Sequence, residues 1–594
     1  MLRRMRHHHR VTTRAGARES SLAAFLDAVV GSEIDTWAQR AAAATAGPSD
    51  PEPDTAWSDG LQLLAAALSR EWDAAVALHR VLPDPGPDAE ARWLRRGAHA
   101  WASSGDPVPG ASAALDGLLG DLPDLEGALG RFAAYLYVEG ALAHGQLDLA
   151  QQLVDACGER LWAPLVLGGR EHAFSPILVI CRTRLLAFRG ELAAADEVYR
   201  GLPRSEAARS HPVIDAVWAA TGTLVLGNEA DTAEARRLAA QAASLAGTPR
   251  DHVTAATHLL VAFGLIALGD VTAAVRSLLA TGRDADLSGC NVIDRALGLE
   301  LLVALAVAES DLDTARAWLD RAEPLLASAS ADSTVARMRC RVHLLEGRTA
   351  EAIVWAELAL ARAEANGRGI EAAEAEILLT RSRLAHRGPG DRAAALTQLQ
   401  AVVARTEALG HLAARRAAAR ELRPLGLRLK PLAGSGWAGL SDREAEIGRL
   451  VADGATNRQV AQLLHLSEHT VRAHVSRVLA AFSVATRSGL PAAMAAAGWA
   501  SEAPERTSYG RLTPRQEQVA ALVADGLSNR DIGERLGLSV RTVERHVGDV
   551  LERWGLPGRT ALARVVGWQG EHALTATRQD TRPSGDPRGD RPPS

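Results

Sequence analysis

Leu466-Ser-Glu-His-Thr-Val-Arg-Ala-His-Val475 returns 72 residues later as Leu538-Ser-Val-Arg-Thr-Val-Glu-Arg-His-Val547. The repeat extends in both directions. Residues 440–490 align with 512–562 without a gap, with 20 identities in 51 positions. Ser441 with Glu444, and Thr513 with Gln516, are spaced as capping boxes, and Pro514 stands at a first helical position. The apolar spacing predicts a helix after each box, with Ile447, Leu450 and Val451, or Val519, Leu522 and Val523, facing inward. Gly454 and Gly526 end these helices. Thr456 and Ser528 cap a short second helix, and Ser467 and Ser539 cap a third, three residues past Leu464 and Leu536. So short a turn between two short helices is a helix-turn-helix. The third helix buries Val471, Val475 and Val478 in one copy and Val543, Val547 and Val550 in the other. An Ala-rich fourth helix follows Arg487 or Arg559.

Helical spacing turns His469, Arg472, Ala473, Ser476 and Ala480 outward in the first copy, and Arg541, Glu544, Arg545, Gly548 and Glu552 in the second. The Leu-[ST]-x-Arg opening, the Gly-x-[ST]-Asn-Arg turn and the Leu-Ser-x-x-Thr-Val-x-x-His-Val series together resemble the LuxR-type (GerE-like) helix-turn-helix of bacterial transcription factors. The resemblance covers about 120 residues. It implies that the third helix enters the major groove. It also implies that the two residues before the histidine and the second after it approach bases: Arg472, Ala473 and Ser476, then Glu544, Arg545 and Gly548, with Arg541 one turn back on the same face. Arginine suits guanine and Glu544 suits cytosine N4; the other reading of Glu544 is an ion pair with Arg541. Asn457, Arg458 and Thr470, with Asn529, Arg530 and Thr542, are the phosphate candidates, which position without reading sequence. Six arginines face five acids over 440–490, and seven face seven over 512–562, so counterion release contributes modestly.

The long region before these copies reads differently. From residue 21 to 425 apolar residues recur at helical spacing, rich in Leu and Ala. A small residue ends one helix and Ala stands five positions on: Gly145 and Ala150, Gly190 and Ala195, Gly269 and Ala274, Ser310 and Ala315, Gly347 and Ala352, Gly390 and Ala395. Gly227 marks a looser slot, and Ser69 with Ala74 an earlier one. From Gly145 the steps are 45, 37, 42, 41, 37 and 43 residues. Such hairpins cannot cover their own apolar faces, so neighbours stack into a solenoid. The pattern loosely resembles the tetratricopeptide repeats of large bacterial regulators, with longer steps and no regular Trp and Tyr positions.

Composition narrows the chemistry. Of 66 basic residues one is lysine, Lys430 in Leu427-Arg-Leu-Lys-Pro-Leu, so residues 1–426 hold no phosphate-binding loop and no lysine Schiff base. The chain is similar to the C-terminal parts of the large ATP-binding LuxR regulators with the nucleotide-binding loop missing. Cys157, Cys181, Cys290 and Cys340 lie far apart, which fits small buried hydrophobes in a reducing cytoplasm and no zinc framework. The longest uncharged run, Val253 to Gly269, reads as a buried helix rather than a membrane span.

The expectation is an all-α chain of 594 residues. It comprises a disordered arm over 1–20, a tetratricopeptide-like α-solenoid over 21–425, a linker over 426–438, and a first four-helix LuxR-type domain over 439–498. A link over 499–511, a second such domain over 512–570 and a disordered tail over 571–594 follow. The 13-residue link spans about 45 Å extended, and one duplex turn is about 34 Å, so one chain reaches two half-sites. The expected function is sequence-specific transcriptional regulation in the cytoplasm, with no enzymatic activity, cofactor, metal or membrane partner. Expected partners are double-stranded promoter DNA, RNA polymerase or another regulator, a ligand or protein on the helical region, and a second copy as homodimer. The alternative is a scaffold that binds other regulators and touches DNA weakly.

Overall fold

In the computed structural model, residues 2–45, 55–107, 110–201, 211–230, 232–281, 287–427, 429, 436–497 and 510–567 are described. The chain divides into two units, Met1–Arg428 and Leu429–Ser594. The expected tail over 571–594, and the 499–511 link apart from its last two residues, lie outside the described residues.

The first unit is built of antiparallel helix pairs, each packed on the next. Ala128–Ala143 pairs with Leu147–Cys157, Ser175–Phe188 with Leu192–Gly201, and Pro212–Asn228 with Thr232–Ala246. His252–Leu268 pairs with Val271–Thr281, Val292–Ala308 with Leu312–Ala322, Asp332–Leu345 with Thr349–Ala365, and Gly369–His386 with Asp391–Ala408. At Gly145, Gly190, Gly269, Ser310, Gly347 and Gly390 the backbone turns through positive φ. The alanine five positions later is fully buried at every one of these slots.

Two slots sit elsewhere than the small residues indicate. The first turn is made by Arg70, at φ 65°, not by Ser69, so the buried alanine is Ala75 while Ala74 is exposed. Arg70 tolerates the left-handed turn because its buried guanidinium donates to Gly289 O at 2.8 Å and Thr281 O at 2.7 Å. The looser slot belongs to Ala230, at φ 64°, with Ala235 buried five positions on, and Gly227 remains inside the helix. The longest step, from Gly145 to Gly190, holds a 3-10 turn over Gly158–Trp162 and a two-stranded hairpin, Val166–Leu167 with Arg170–Glu171. This hairpin is a small departure from an all-helical chain.

The expected arm over 1–20 is helical, within Leu2–Val30. Arg18 is buried and donates to Asp88 and Glu90, both at 2.6 Å, and Leu22, Phe25 and Leu26 enter the core behind it. The run of pairs turns back on itself. Leu147 N donates to Asn366 O at 2.9 Å, Arg368 Nε to Gly145 O at 2.8 Å, and Ala193 N to Leu409 O at 3.0 Å. A Cβ at Gly369 would lie 1.9 Å from Arg189 O, so glycine is required at this closure. All four cysteines are buried and unbridged. Among the described residues no helix is long and apolar enough to cross a membrane.

Two predictions follow from this packing. Ala75→Leu overfills a closed helix contact and costs about 1–3 kcal/mol in urea unfolding, whereas Ala74→Leu, one residue away and exposed, leaves the midpoint unchanged. Burial also holds histidines neutral: His144 and His411 titrate at about 4 and His252 at about 3, against an ordinary 6.5. Their folded pKa values are depressed, so the unfolded chain binds more protons below pH 6.5 and stability falls as pH drops from there towards 4. Asp294, raised to about 6 by burial, works in the opposite direction over part of this window. Three histidines outweigh it, and the unfolding temperature read by circular dichroism drops by about 5 °C or more between pH 6.5 and 4.5.

Candidate nucleic-acid interface

Each copy in the second unit builds the same four helices. In the first they are Asp442–Ala452, Asn457–Leu463, Glu468–Ala481 and Leu490–Ala496. In the second they are Pro514–Ala524, Asn529–Leu536, Val540–Trp554 and residues 559–567. The caps fall where the sequence puts them. Ser441, Thr456, Thr513 and Ser528 form capping boxes, and Ser467 and Ser539 accept from the amides of Thr470 and Thr542. Gly454 and Gly526 take φ of 98° and 81°, which an L side chain resists. Val471, Val475 and Val478, and Val543, Val547 and Val550, are buried.

Two arginines per copy, which the sequence reading assigns no role, set the angle between these helices. Arg487 donates to Asn457 Oδ1 at 2.6 Å and to Ala455 O, tying the start of the fourth helix to the turn before the second. Arg559 makes the equivalent bonds to Asn529 Oδ1, at 2.5 Å, and Leu527 O. Arg443 donates to Leu464 O and Arg515 to Leu536 O, each at 2.5 Å, satisfying a carbonyl at the end of the second helix. The available signal was recurrence: all four arginines survive the 72-residue offset.

The third helix presents the opposite face to solvent. Arg472, Ala473 and Ser476 are exposed in the first copy, and Arg541, Glu544, Arg545 and Gly548 in the second. Among the described residues Arg472, Arg541, Glu544 and Arg545 make no ion pair, so the Arg541–Glu544 pairing is not formed. A Cβ at Gly548 would meet nothing within 4 Å, so no packing within the chain requires glycine there. The turn residues divide. Arg458 is exposed, and Arg530 is exposed beside Glu534 at 3.2 Å. Asn457 and Asn529 are half-buried with Oδ1 taken by Arg487 and Arg559, which leaves their Nδ2 amides. The hydroxyls of Thr470 and Thr542 sit 2.8 Å from those of Ser467 and Ser539. His474 turns inward, with Nδ1 2.7 Å from Arg477 and 3.5 Å from Glu444. His546 Nδ1 is buried without a hydrogen bond among the described residues.

The two copies also touch. A Cβ at Gly454 would meet Ala561 at 3.1 Å, and one at Gly526 would meet Gly489 at 2.8 Å. Thr486 Oγ1 donates to Gly526 O at 2.7 Å, and Arg564 approaches Asp453 at 3.6 Å. The offset of 72 carries Gly454 to Gly526 and Gly489 to Ala561, so the contact swaps its partners between copies.

Comparison with known proteins places this geometry. The profile of the bacterial regulatory proteins of the luxR family (GerE) matches residues 438–492 and 511–566, less than a fifth of the chain. A Mycobacterium tuberculosis protein named as an HTH-type transcriptional regulator, Rv0890c, is 48% identical over 54 residues, 9% of this chain and 6% of its own length. The two-component response regulator PprB of Pseudomonas aeruginosa is 40% identical over 63 residues, 11% of this chain and 23% of its own. The tetrathionate response regulatory protein TtrR of Salmonella typhimurium is 47% identical over 45 residues, 8% of this chain and 22% of its own. The chain therefore spans less than a quarter of each of these relatives. The C-terminal part of the chain carries LuxR-type helix-turn-helix sequence twice.

Proposed function

We propose that this chain is a sequence-specific DNA-binding transcriptional regulator in which each copy lays its third helix in a major groove. The observation that carries the reading is a division among arginines. Arg443, Arg477, Arg487, Arg515 and Arg559 are committed to the module's own acceptors. Arg472 in the first copy, and Arg541 and Arg545 in the second, stand exposed on the outward face of the third helix with no ion pair among the described residues. A free guanidinium fork matches guanine O6 and N7, and Glu544 matches the cytosine amino group. Ala473, Ser476 and Gly548 let the helix lie close to the bases. Arg458 and Arg530, the free amides of Asn457 and Asn529, and Thr470 and Thr542 supply phosphate contacts. Relatives named as transcriptional and response regulators support the reading over these residues.

Contacts that exchange under the 72-residue offset are those of an isologous pair. One chain then does what a two-fold dimer does, offering two third helices to half-sites in inverted order. The differing faces, Arg472-Ala473-Ser476 and Glu544-Arg545-Gly548, make the half-sites unlike. The N-terminal unit, read as a solenoid of tetratricopeptide-like hairpins, is the sensing half, for a ligand or a protein. RNA polymerase or another regulator is the protein partner at a promoter, and the cytoplasm is the compartment. A scaffold that touches DNA weakly is the second reading, favoured by the near-neutral charge of both copies.

Gel shifts of the full chain against genomic fragments decide between them. Arg472→Ala and Arg545→Ala each weaken the preferred fragment by about 1–3 kcal/mol, about tenfold or more, and relax selectivity at one position. An inverted arrangement of the selected half-sites binds more tightly than a direct one. Unchanged selectivity in the double variant defeats the reader assignment. No preference over competitor DNA, alongside a stable complex with another regulator, establishes the scaffold.

A further inference from the structure

In the Met1–Arg428 unit the first helices of successive pairs, with Leu412–Leu422, line a cavity of about 310 Å³. Across Trp101, Glu139, Arg184 and His252, which line both, it adjoins a narrower limb of about 90 Å³. The limbs differ in chemistry. The narrow one is walled by Phe25, Phe132, Phe174, Ile177 and Val217. The wide one is lined by a cluster of ion pairs. Fully buried Arg337 forks Glu300 at 2.8 and 2.5 Å and reaches Glu371 at 2.6 Å. Arg341 pairs with Glu374 at 2.8 Å, and Arg184 pairs with Glu139 at the junction.

Five arginines and five carboxylates line the wide limb, so its charges cancel. Hydrogen-bonding capacity does not cancel. Arg184 Nε, Arg341 Nε and Arg368 Nη1 are buried without a hydrogen-bond partner among the described residues, and Arg368 is 1% exposed. An unmade buried hydrogen bond costs about 1–3 kcal/mol, and the three residues that carry these donors all line the wide limb, which makes it a setting for polar acceptors. A charged guest would disturb a balanced set of ions in a poorly solvated space, at a cost of several kcal/mol. A neutral one supplies acceptors without that cost.

From this arrangement we infer that the cavity binds an uncharged amphipathic small molecule, its apolar body in the Phe25–Phe132–Phe174 limb and its hydroxyl, carbonyl or amide head among the arginines and carboxylates that line the wide limb. The volume lies at the lower end of small-molecule sites, which run from about 300 to 1,000 Å³. The inference rests on reading this unit as the sensing half and names the class of signal it takes.

A pair of fluorophores tests it on the full chain. 6-Propionyl-2-(dimethylamino)naphthalene is uncharged with one carbonyl acceptor, and 8-anilinonaphthalene-1-sulfonate is a naphthalene of similar size with an anionic group. The expected result is saturable binding of one neutral dye per chain, at least tenfold tighter than the sulfonate. Ala256 lines both limbs and Ala304 the wide one. Ala256→Trp and Ala304→Phe, each checked for helicity by circular dichroism, weaken the neutral dye at least tenfold. Absence of saturable binding, or binding that neither folded variant disturbs, overturns the site. Sulfonate binding as tight as the neutral dye overturns the uncharged assignment. No DNA is present, so a failure here leaves the gel-shift result untouched, and the reverse holds.

Discussion

Each helix-turn-helix unit is tied together across its second and fourth helices by a guanidinium fork. Arg487 in one copy and Arg559 in the other grip an asparagine Oδ1 and a backbone carbonyl at once. Those acceptors belong to the turn that opens the second helix, and the fork sits at the start of the fourth. The bond therefore closes the four helices into a ring of constraints around the valines of the third. Arg443 and Arg515 add a second fork at the far end of the second helix. Lysine, a point charge on a flexible stem, cannot hold two acceptors in fixed geometry. In a chain with a single lysine, arginine is spent on architecture first, and only the residue left over faces outward.

That economy explains why bulk charge is a poor guide here. Counted by sequence, neither copy is basic. Counted by commitment, the acids of the first copy are partly used inside it. Glu444 caps its own helix and holds Arg477, and Glu446 holds Arg443. Arg472, Arg541 and Arg545 are exposed and make no ion pair among the described residues. A surface of few but free guanidinium groups favours selectivity over bulk affinity, because non-specific binding grows with the number of phosphates neutralised.

Much of this was legible locally. Caps, turn glycines and the valine stripe need only the residues within one or two helical turns, and each stands where its spacing puts it. The alanine slots were legible for the same reason, since a left-handed turn followed by close helix approach is a short-range pattern. The exceptions have long-range causes. Arg70 takes a turn that Ser69 would suit better because its acceptors at Gly289 and Thr281 lie more than 200 residues away. Arg18 orders the N-terminal helix through Asp88 and Glu90, which nothing near residue 18 announces. At the interface, the outward face was legible from helical period. The capture of Asn457 and Asn529 by arginines 30 residues on was not, because spacing fixes a face and says nothing of which partner an amide finds.

The same reasoning separates the two kinds of interior in the N-terminal unit. Its helix pairs are packed through Leu, Ala, Val and aromatic side chains. Buried ion pairs contribute little net stability, because desolvation takes back most of what attraction supplies. Hydrophobic side chains of similar volume hold such helices together equally well, so packing alone does not call for Arg337, Glu300, Glu371, Arg341 and Glu374. Yet these five stand together on the cavity wall, two of them joined as a bidentate fork. Charge that is costly to bury, balanced to neutrality and placed where protein does not fill the space, is better accounted for by what enters that space than by the fold around it.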